Sequence, residues 1–280
     1  MKVVTHLNEL QAARQQLKEP VGLIPTMGYL HEGHISLILA ARQDCASVVV
    51  SVFVNPSQFG PAGDFSSYPR NLPRDIEMLQ GAGVDLLWTP IENEMYPEGY
   101  QTWVSFEEVT KPLEGAVRPG HFRGVATIVS KFFNAVHPQL VYFGQKDAQQ
   151  VVTIRQLARD LNYPIDIVVC PIIREADGLA MSSRNTYLSP TERQAASVLY
   201  RALSSAKDAF TNGEHNASEL RTRMQEIIAG EALAQVQYVS CADPDALQEL
   251  QGDVSYALLS LAVSIGKTRL IDNMIIGMKE

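Results

Sequence analysis

VGLIPTMGYLHEGHISLILAAR, residues 21–42, holds a buried strand, a turn and the opening of a helix in one stretch. The apolar run predicts a strand at Val21–Pro25, and the spacing after it predicts a helix over Gly33–Asp44. Between them stand His31, Glu32, Gly33 and His34. Two histidines three apart at a helix start share one face, and the free N–H groups and positive dipole end there favour a phosphate chain. Gly33 is expected to let the backbone approach such a ligand. The zinc-protease pattern H-E-x-x-H needs histidines four apart, and no third ligand follows nearby, so a metal site is disfavoured.

Working outward, short apolar runs alternate with amphipathic segments up to about residue 174. Strands are expected at Val48–Val54, Val84–Thr89, Leu140–Phe143 and Ile165–Pro171, with helices at Asn71–Gly81, Gly124–Val136 and Asp147–Asn162. This βαβ order predicts an α/β chain whose parallel sheet is covered by helices. Beyond Arg174 the pattern changes. Ser189, Pro190 and Glu192 form a capping box with proline at the first helical position, opening a helix in SPTERQAASVLYRALSSAKDAF. A helix at Glu219–Gly230 and strands at Val236–Cys241, Tyr256–Ile265 and Thr268–Ile271 complete a smaller α+β unit. The expected domains are 1–174 and 175–280.

Composition narrows the function. A net charge of −8, from 23 Lys+Arg against 31 Asp+Glu, argues against a general nucleic-acid-binding field, so any anion must be held by local groups. Hydrophobic residues at 46% and charged ones at 19% are the balance of a globular enzyme. Cys45, Cys170 and Cys241 are odd in number and lack CxxC spacing, which fits a reducing compartment. The opening MKVVTHLNEL lacks a signal-peptide core, and no apolar run reaches the ~20 residues of a membrane span, so a cytoplasmic protein is expected.

Several other motifs fall where strands of a parallel sheet end, which is the edge that binds ligands. Gly144, Gln145, Lys146 and Asp147 follow the fourth strand, with Asp147 placed to cap the helix that carries Gln149 and Gln150. Asn55-Pro56-Ser57-Gln58-Phe59 leaves the second strand, as a turn or as a polar binding wall. Met181-Ser182-Ser183-Arg184 reads either as a solvated linker or as a phosphate loop of hydroxyls and a guanidinium. Arg118–Gly124 (RPGHFRG) suits carboxylates or phosphates and equally a surface corner, and Arg269–Asn273 (RLIDN) reads as a strand ending in a turn.

Taken in order, PTMGYLHEGH, FVNPSQF, RPGHFRGV, FGQKDAQQ, DGLAMSSRN and RLIDN resemble the pantothenate synthetase (pantoate–β-alanine ligase) family from about residue 20 to 273. HEGH stands for the HIGH signature of its nucleotidyltransferase superfamily, and MSSR is a KMSKS form lacking the leading lysine. The resemblance implies a Rossmann-like nucleotidyltransferase domain with a smaller C-terminal α+β lid. It also implies an ATP- and Mg2+-dependent condensation of pantoate with β-alanine through pantoyl adenylate, and a homodimer. By the same resemblance Met27, Gly28, Tyr29, Leu30, His31, Glu32, Gly33 and His34 line the ATP site. Gly144, Gln145, Lys146 and Asp147 with Met181, Ser182, Ser183 and Arg184 complete it. His34, assisted by His31, gives a proton or hydrogen bond to the departing phosphates, on which Lys146, Ser182, Ser183 and Arg184 also act. Gln58 and Gln150 hold pantoate, and Gln58 also lies near β-alanine. Glutamate is more usual than Gln145, a departure expected to matter little. Asp75 is a candidate to reach magnesium. Rival readings are another HxGH nucleotidyltransferase, an aminoacyl-tRNA synthetase relative, and a non-catalytic nucleotide-binding regulator on the same fold.

Overall fold

The computed structural model describes residues 1–60 and 63–278, so the last two residues of the expected second domain lie outside it. Six strands form one parallel sheet: β1 (Lys2–Val4), β2 (Val21–Thr26), β3 (Ser47–Val52), β4 (Leu86–Trp88), β5 (Leu140–Gly144) and β6 (Asp166–Cys170). Their spatial order is β1-β4-β3-β2-β5-β6. The chain winds outward from β2 through β3 to β4, then restarts at β5 on the other side of β2. The crevice beyond the carboxyl ends of β2 and β5 is therefore the switch point where ligands sit in open α/β sheets.

Alternation along the strands builds the two covers. Leu23, Val49, Leu86, Trp88, Val141 and Phe143 point to one face, packing with Val125, Phe132 and Ile154, while Ile24, Val48, Val50, Leu87 and Tyr142 point to the other with Leu37, Ile38 and Leu79. The helices that supply these layers are α1 (Leu7–Arg14), α2 (Glu32–Asp44), α3 (Leu72–Gly81), α6 (His121–Val136) and α7 (Ala148–Asp160), with one-turn helices α4 (Glu92–Met95) and α5 (Glu114–Val117) between α3 and α6. β1 and α1 are additions to the sequence reading. β1 is three residues at a sheet edge, and α1 buries only Leu10 and Ala13, so neither carries a strong periodic signal.

The second unit has α8 (Pro190–Ala195), α9 (Val198–Thr211) and α10 (Ala217–Ala229) against an antiparallel sheet of β7 (Ala234–Ala242), β8 (Tyr256–Ile265) and β9 (Thr268–Gly277) in that order. The Ser189 capping box is formed, with Glu192 N–H donating to Ser189 Oγ at 3.3 Å and Ser189 N–H to Glu192 Oε2 at 2.8 Å. The single expected helix is broken in two at Ala196–Ser197. One face of β8 packs Leu259, Leu261 and Val263 with Leu199, Leu203 and Met224 from the helices. Leu258, on the opposite face, packs with Ala148 and Val152 of α7, which seats the small sheet beside the turn after β5. β9 also runs on to Gly277, so RLIDN is the interior of a strand and not a strand end.

Candidate active site

The turn between β2 and α2 is held by a buried carboxylate. Gly28 and Tyr29 adopt left-handed backbone, φ +79° and +50°. Asp75, 1% exposed at the start of α3, accepts the N–H groups of Tyr29 and Leu30, both at 2.8 Å. Asp75, the magnesium candidate of the sequence reading, thus anchors the turn through both of its oxygens and is not among the residues that line the central cavity.

That turn delivers the histidine pair. His31 is the N-cap of α2, and its Nδ1 accepts the Gly33 N–H at 3.2 Å. His34 Nδ1 in turn accepts the His31 N–H at 3.2 Å, so the two imidazoles form a reciprocal capping box with ring centroids 4.1 Å apart. With both Nδ1 atoms accepting, each neutral ring carries its proton on Nε2. Burial is the main cause lowering both titrations: His31 to about 4, aided by Lys146, and His34 well below the usual range, aided by His31 and Lys146. With Nδ1 used in the cap, each ring turns its Nε2–H outward as a hydrogen-bond donor.

A Cβ at Gly33 would lie 2.9 Å from the His31 ring. The glycine is therefore required by the histidine cap itself, a reason nearer than the ligand clearance expected from sequence. Glu32 is exposed, and Gly28, Tyr29, Leu30, Glu32 and Gln145 do not line the central cavity, whereas Met27, His31, Gly33 and His34 do.

Across the switch point, Gly144, Lys146 and Asp147 after β5 line the same cavity of ≈ 210 Å³, as do Gln58, Gln150 and Met181–Arg184. The motifs kept apart in sequence thus converge. Asp147 occupies the N-cap position of α7 but makes no side-chain cap bond; it lies 3.5 Å from Lys146 Nζ instead, with a tight 3-10 turn at Gln145–Asp147 intervening. Ser183 Oγ donates to the Tyr29 carbonyl at 3.1 Å and Ser182 Oγ accepts the Arg184 N–H at 3.3 Å, so these hydroxyls tie the loop to the histidine turn and to itself. Arg184 makes a two-pronged pair with Asp64 at 2.8 and 3.0 Å and lies over Tyr68.

Asp64 and Tyr68 are wall residues that the sequence reading did not single out, and Asn55, Arg118 and His121, which it left open between a binding and a structural role, line the cavities as well. His121 Nδ1 donates to the Gln58 carbonyl at 2.8 Å and its Nε2 faces Arg118 at 3.2 Å, while burial and Arg118 lower its titration to about 4. Asn55, buried, reaches Gln58 Oε1 and the Gly124 carbonyl, both at 3.2 Å. A second cleft of ≈ 760 Å³ shares Lys146, Asp147, Ser182 and Arg184 with the first and adds Lys267 and Arg269. In a chain of net charge −8 the paired cavities concentrate cations, which suits a polyanionic ligand.

A parallel α/β sheet with paired histidine donors at one helix start, and a lysine and a Ser/Arg loop facing them across the switch point, places the chain among α/β proteins whose switch-point cavity suits a phosphate-bearing ligand. Comparison with known proteins gives the particular family. The sequence profile described as Pantoate-beta-alanine ligase matches residues 2–275. The pantothenate synthetase of Herpetosiphon aurantiacus is 57% identical over 276 residues, 98% of this chain and 100% of that protein. That of Roseiflexus castenholzii is 55% identical, covering 99% of each. Among solved structures, pantothenate synthetase from Thermus thermophilus superposes with a TM-score of 0.94 at 46% identity, covering 98% of this chain and 99% of that one. The Francisella tularensis pantoate-beta-alanine ligase complexed with beta-gamma ATP and beta-alanine gives 0.82 at 36% identity, covering 98% and 97%. The chain belongs to the pantoate-beta-alanine ligase family.

Proposed function

We propose that this enzyme condenses pantoate with β-alanine at the expense of ATP, forming pantothenate, AMP and pyrophosphate through pantoyl adenylate. The observation that carries the residue assignments is the convergence of His34, Lys146, Arg184, Gln58 and Gln150 on one cavity at the switch point. In the first step a pantoate carboxylate oxygen attacks the α-phosphorus and the bond to the bridging oxygen breaks, releasing pyrophosphate. Charge gathers on the leaving phosphates, and fixed donors aimed there are the largest catalytic term in such reactions. His31 and His34 supply Nε2–H donors, and Lys146 supplies a cation 20% exposed at the cavity edge. Arg184 exchanges Asp64 for phosphate. Gln58 and Gln150, with amide donors and acceptors, hold pantoate beside Met27, and Gln58 also borders β-alanine. In the second step the β-alanine amine attacks the acyl carbon, the carbon–oxygen bond to AMP breaks, and the amine proton is released.

Magnesium enters as the Mg·ATP substrate. Magnesium is commonly held mainly by substrate phosphates and water, and no protein ligand is assigned to it. We assign residues 1–174 to the nucleotide and pantoate domain and 175–280 to a lid that shields the acyl adenylate from water. A homodimer is proposed from the family resemblance, with sedimentation as its check. A cytoplasmic setting is proposed from three free, buried cysteines. Among the described residues no helix is long and apolar enough to cross a membrane.

The test incubates protein with Mg·ATP and pantoate, with and without β-alanine, and follows pyrophosphate, AMP and pantothenate. Pantoate-dependent pyrophosphate and β-alanine-dependent AMP are expected, with His34→Ala slower by ~10²–10³ and still folded. Wild-type protein that binds ATP and forms none of these products overturns the proposal.

A further inference from the structure

Asn273 and Asp272 sit side by side in the interior of β9, each 2% exposed, and neither is explained by packing alone. Successive strand residues face opposite sides of a sheet. Asp272 lies opposite Leu261, whose side belongs to the helix-covered core, and it takes Arg174 in a two-pronged pair at 2.6 and 3.0 Å. Arg174 also donates to the Gly178 carbonyl at 3.0 Å and lies over Tyr200, so this grip fixes the start of the segment that leads to Met181–Arg184.

Asn273 faces the other way, toward the turn after β5. Its Nδ2 donates to the backbone carbonyls of Gln145 at 3.0 Å and Lys146 at 2.9 Å, and its Oδ1 accepts from Gln145 Nε2 at 3.1 Å. Both amide hydrogens and the amide oxygen are thus used on one three-residue turn. The two carbonyls fix which way the Asn273 amide points, and that leaves an oxygen for which the Gln145 amide is the complementary donor. β9 is threaded between the two loops that reach the cavity from opposite sides, holding one with each face.

We propose that Asn273 is a positioning residue for adenylation: it sets the backbone of Gln145–Lys146, and through it the place of the Lys146 ammonium, while Asp272 and Arg174 set the facing Ser182–Arg184 loop from the same strand. The proposal rests on the reading of Lys146 as a phosphate-binding residue. Misplacement of a catalytic group by about 1 Å can cost ~10²-fold in rate. Asn273→Ala is therefore expected to slow pantoate-dependent pyrophosphate release by about 10–100-fold. Amide formation from supplied pantoyl adenylate and β-alanine, which needs no triphosphate, should stay within about threefold of wild type. Asn273→Asp, which keeps the shape but turns an oxygen toward two carbonyls, should be as slow as alanine. Gln145→Ala, lacking one of the three bonds, should show a smaller loss in the same half-reaction and serves if the Asn273 variants fold poorly.

The deciding experiment is a double-mutant cycle with Lys146→Ala, each protein first checked for wild-type circular dichroism. If Asn273 acts through Lys146, Asn273→Ala adds less than about threefold to the loss already caused by Lys146→Ala. A multiplied loss in the double variant, equal slowing of both half-reactions, or wild-type adenylation in Asn273→Ala and Gln145→Ala overturns the proposal. Wild-type adenylation by Lys146→Ala alone would instead strike the reading of the nucleotide site.

Discussion

Asp75→Asn isolates what the turn after β2 depends on. Each carboxylate oxygen of Asp75 accepts one backbone N–H at 2.8 Å, from Tyr29 and from Leu30, in a site 1% exposed. Asparagine is nearly isosteric but has one oxygen, so its NH2 group must face one of those two donors. A hydrogen bond to a charged acceptor contributes ~1.5–3 kcal/mol, and a buried unpaired donor costs a further ~1–3 kcal/mol, which gives about 4 kcal/mol for the substitution. At roughly 2–4 °C per kcal/mol for a chain approaching this size, Tm should fall by about 8–16 °C. The turn carries Gly28 and Tyr29 in left-handed backbone, so the loss should also loosen His31 and His34 and raise the KM for ATP. The assay is a thermal melt of the ligand-free protein together with steady-state kinetics over ATP and Mg2+ concentrations. A Tm within about 2 °C of wild type would refute the clamp. A Tm that holds while the Mg2+ requirement rises would place Asp75 on the metal after all.

Gly33→Ala puts a methyl group 2.9 Å from the His31 ring and should displace it from the Gly33 N–H. The expected result is a loss of about 1 kcal/mol in stability with a clear rise in the KM for ATP. Unchanged ATP kinetics would mean the ring relocates without consequence. Stability should also depend on pH through the part-buried histidines. His31 and His121 titrate at about 4 in the folded chain against an ordinary value of 6.5. The unfolded chain therefore binds more protons as pH falls from about 6.5 toward 4, and folded stability drops over that window, by up to roughly 3 kcal/mol for each. Urea midpoints measured from pH 7 to 5, above the range of ordinary carboxylates, should fall steadily; a flat profile would show that these rings are not held neutral by burial.

Much of the architecture was legible because periodicity is a local property. The runs at Val21–Thr26 and Leu140–Gly144 are apolar on both faces, which marks central parallel strands, and Tyr256–Ile265 was bounded to the residue. β1 was not legible: Lys2–Val4 is strand only because β4 lies beside it to pair with. The Ala196–Ser197 break was hidden for the converse reason, since no Gly or Pro marks it and both residues keep right-handed helical backbone.

The site divides the same way. The sequence by itself determined that two histidines stand three apart at a helix start after a strand, and that Lys146 follows another strand of the same sheet, because these are matters of neighbours along the chain. Only the tertiary structure decided which groups those residues meet. Arg184 finds Asp64 across 120 residues, the Tyr29–Leu30 turn finds Asp75 across 46 and 45, and Gln145 and Lys146 find Asn273 across 128 and 127. No period links such positions. Their pairing is fixed by how β9 and the helices dock around the sheet, and docking is settled by the burial of whole faces, to which a single polar side chain contributes little.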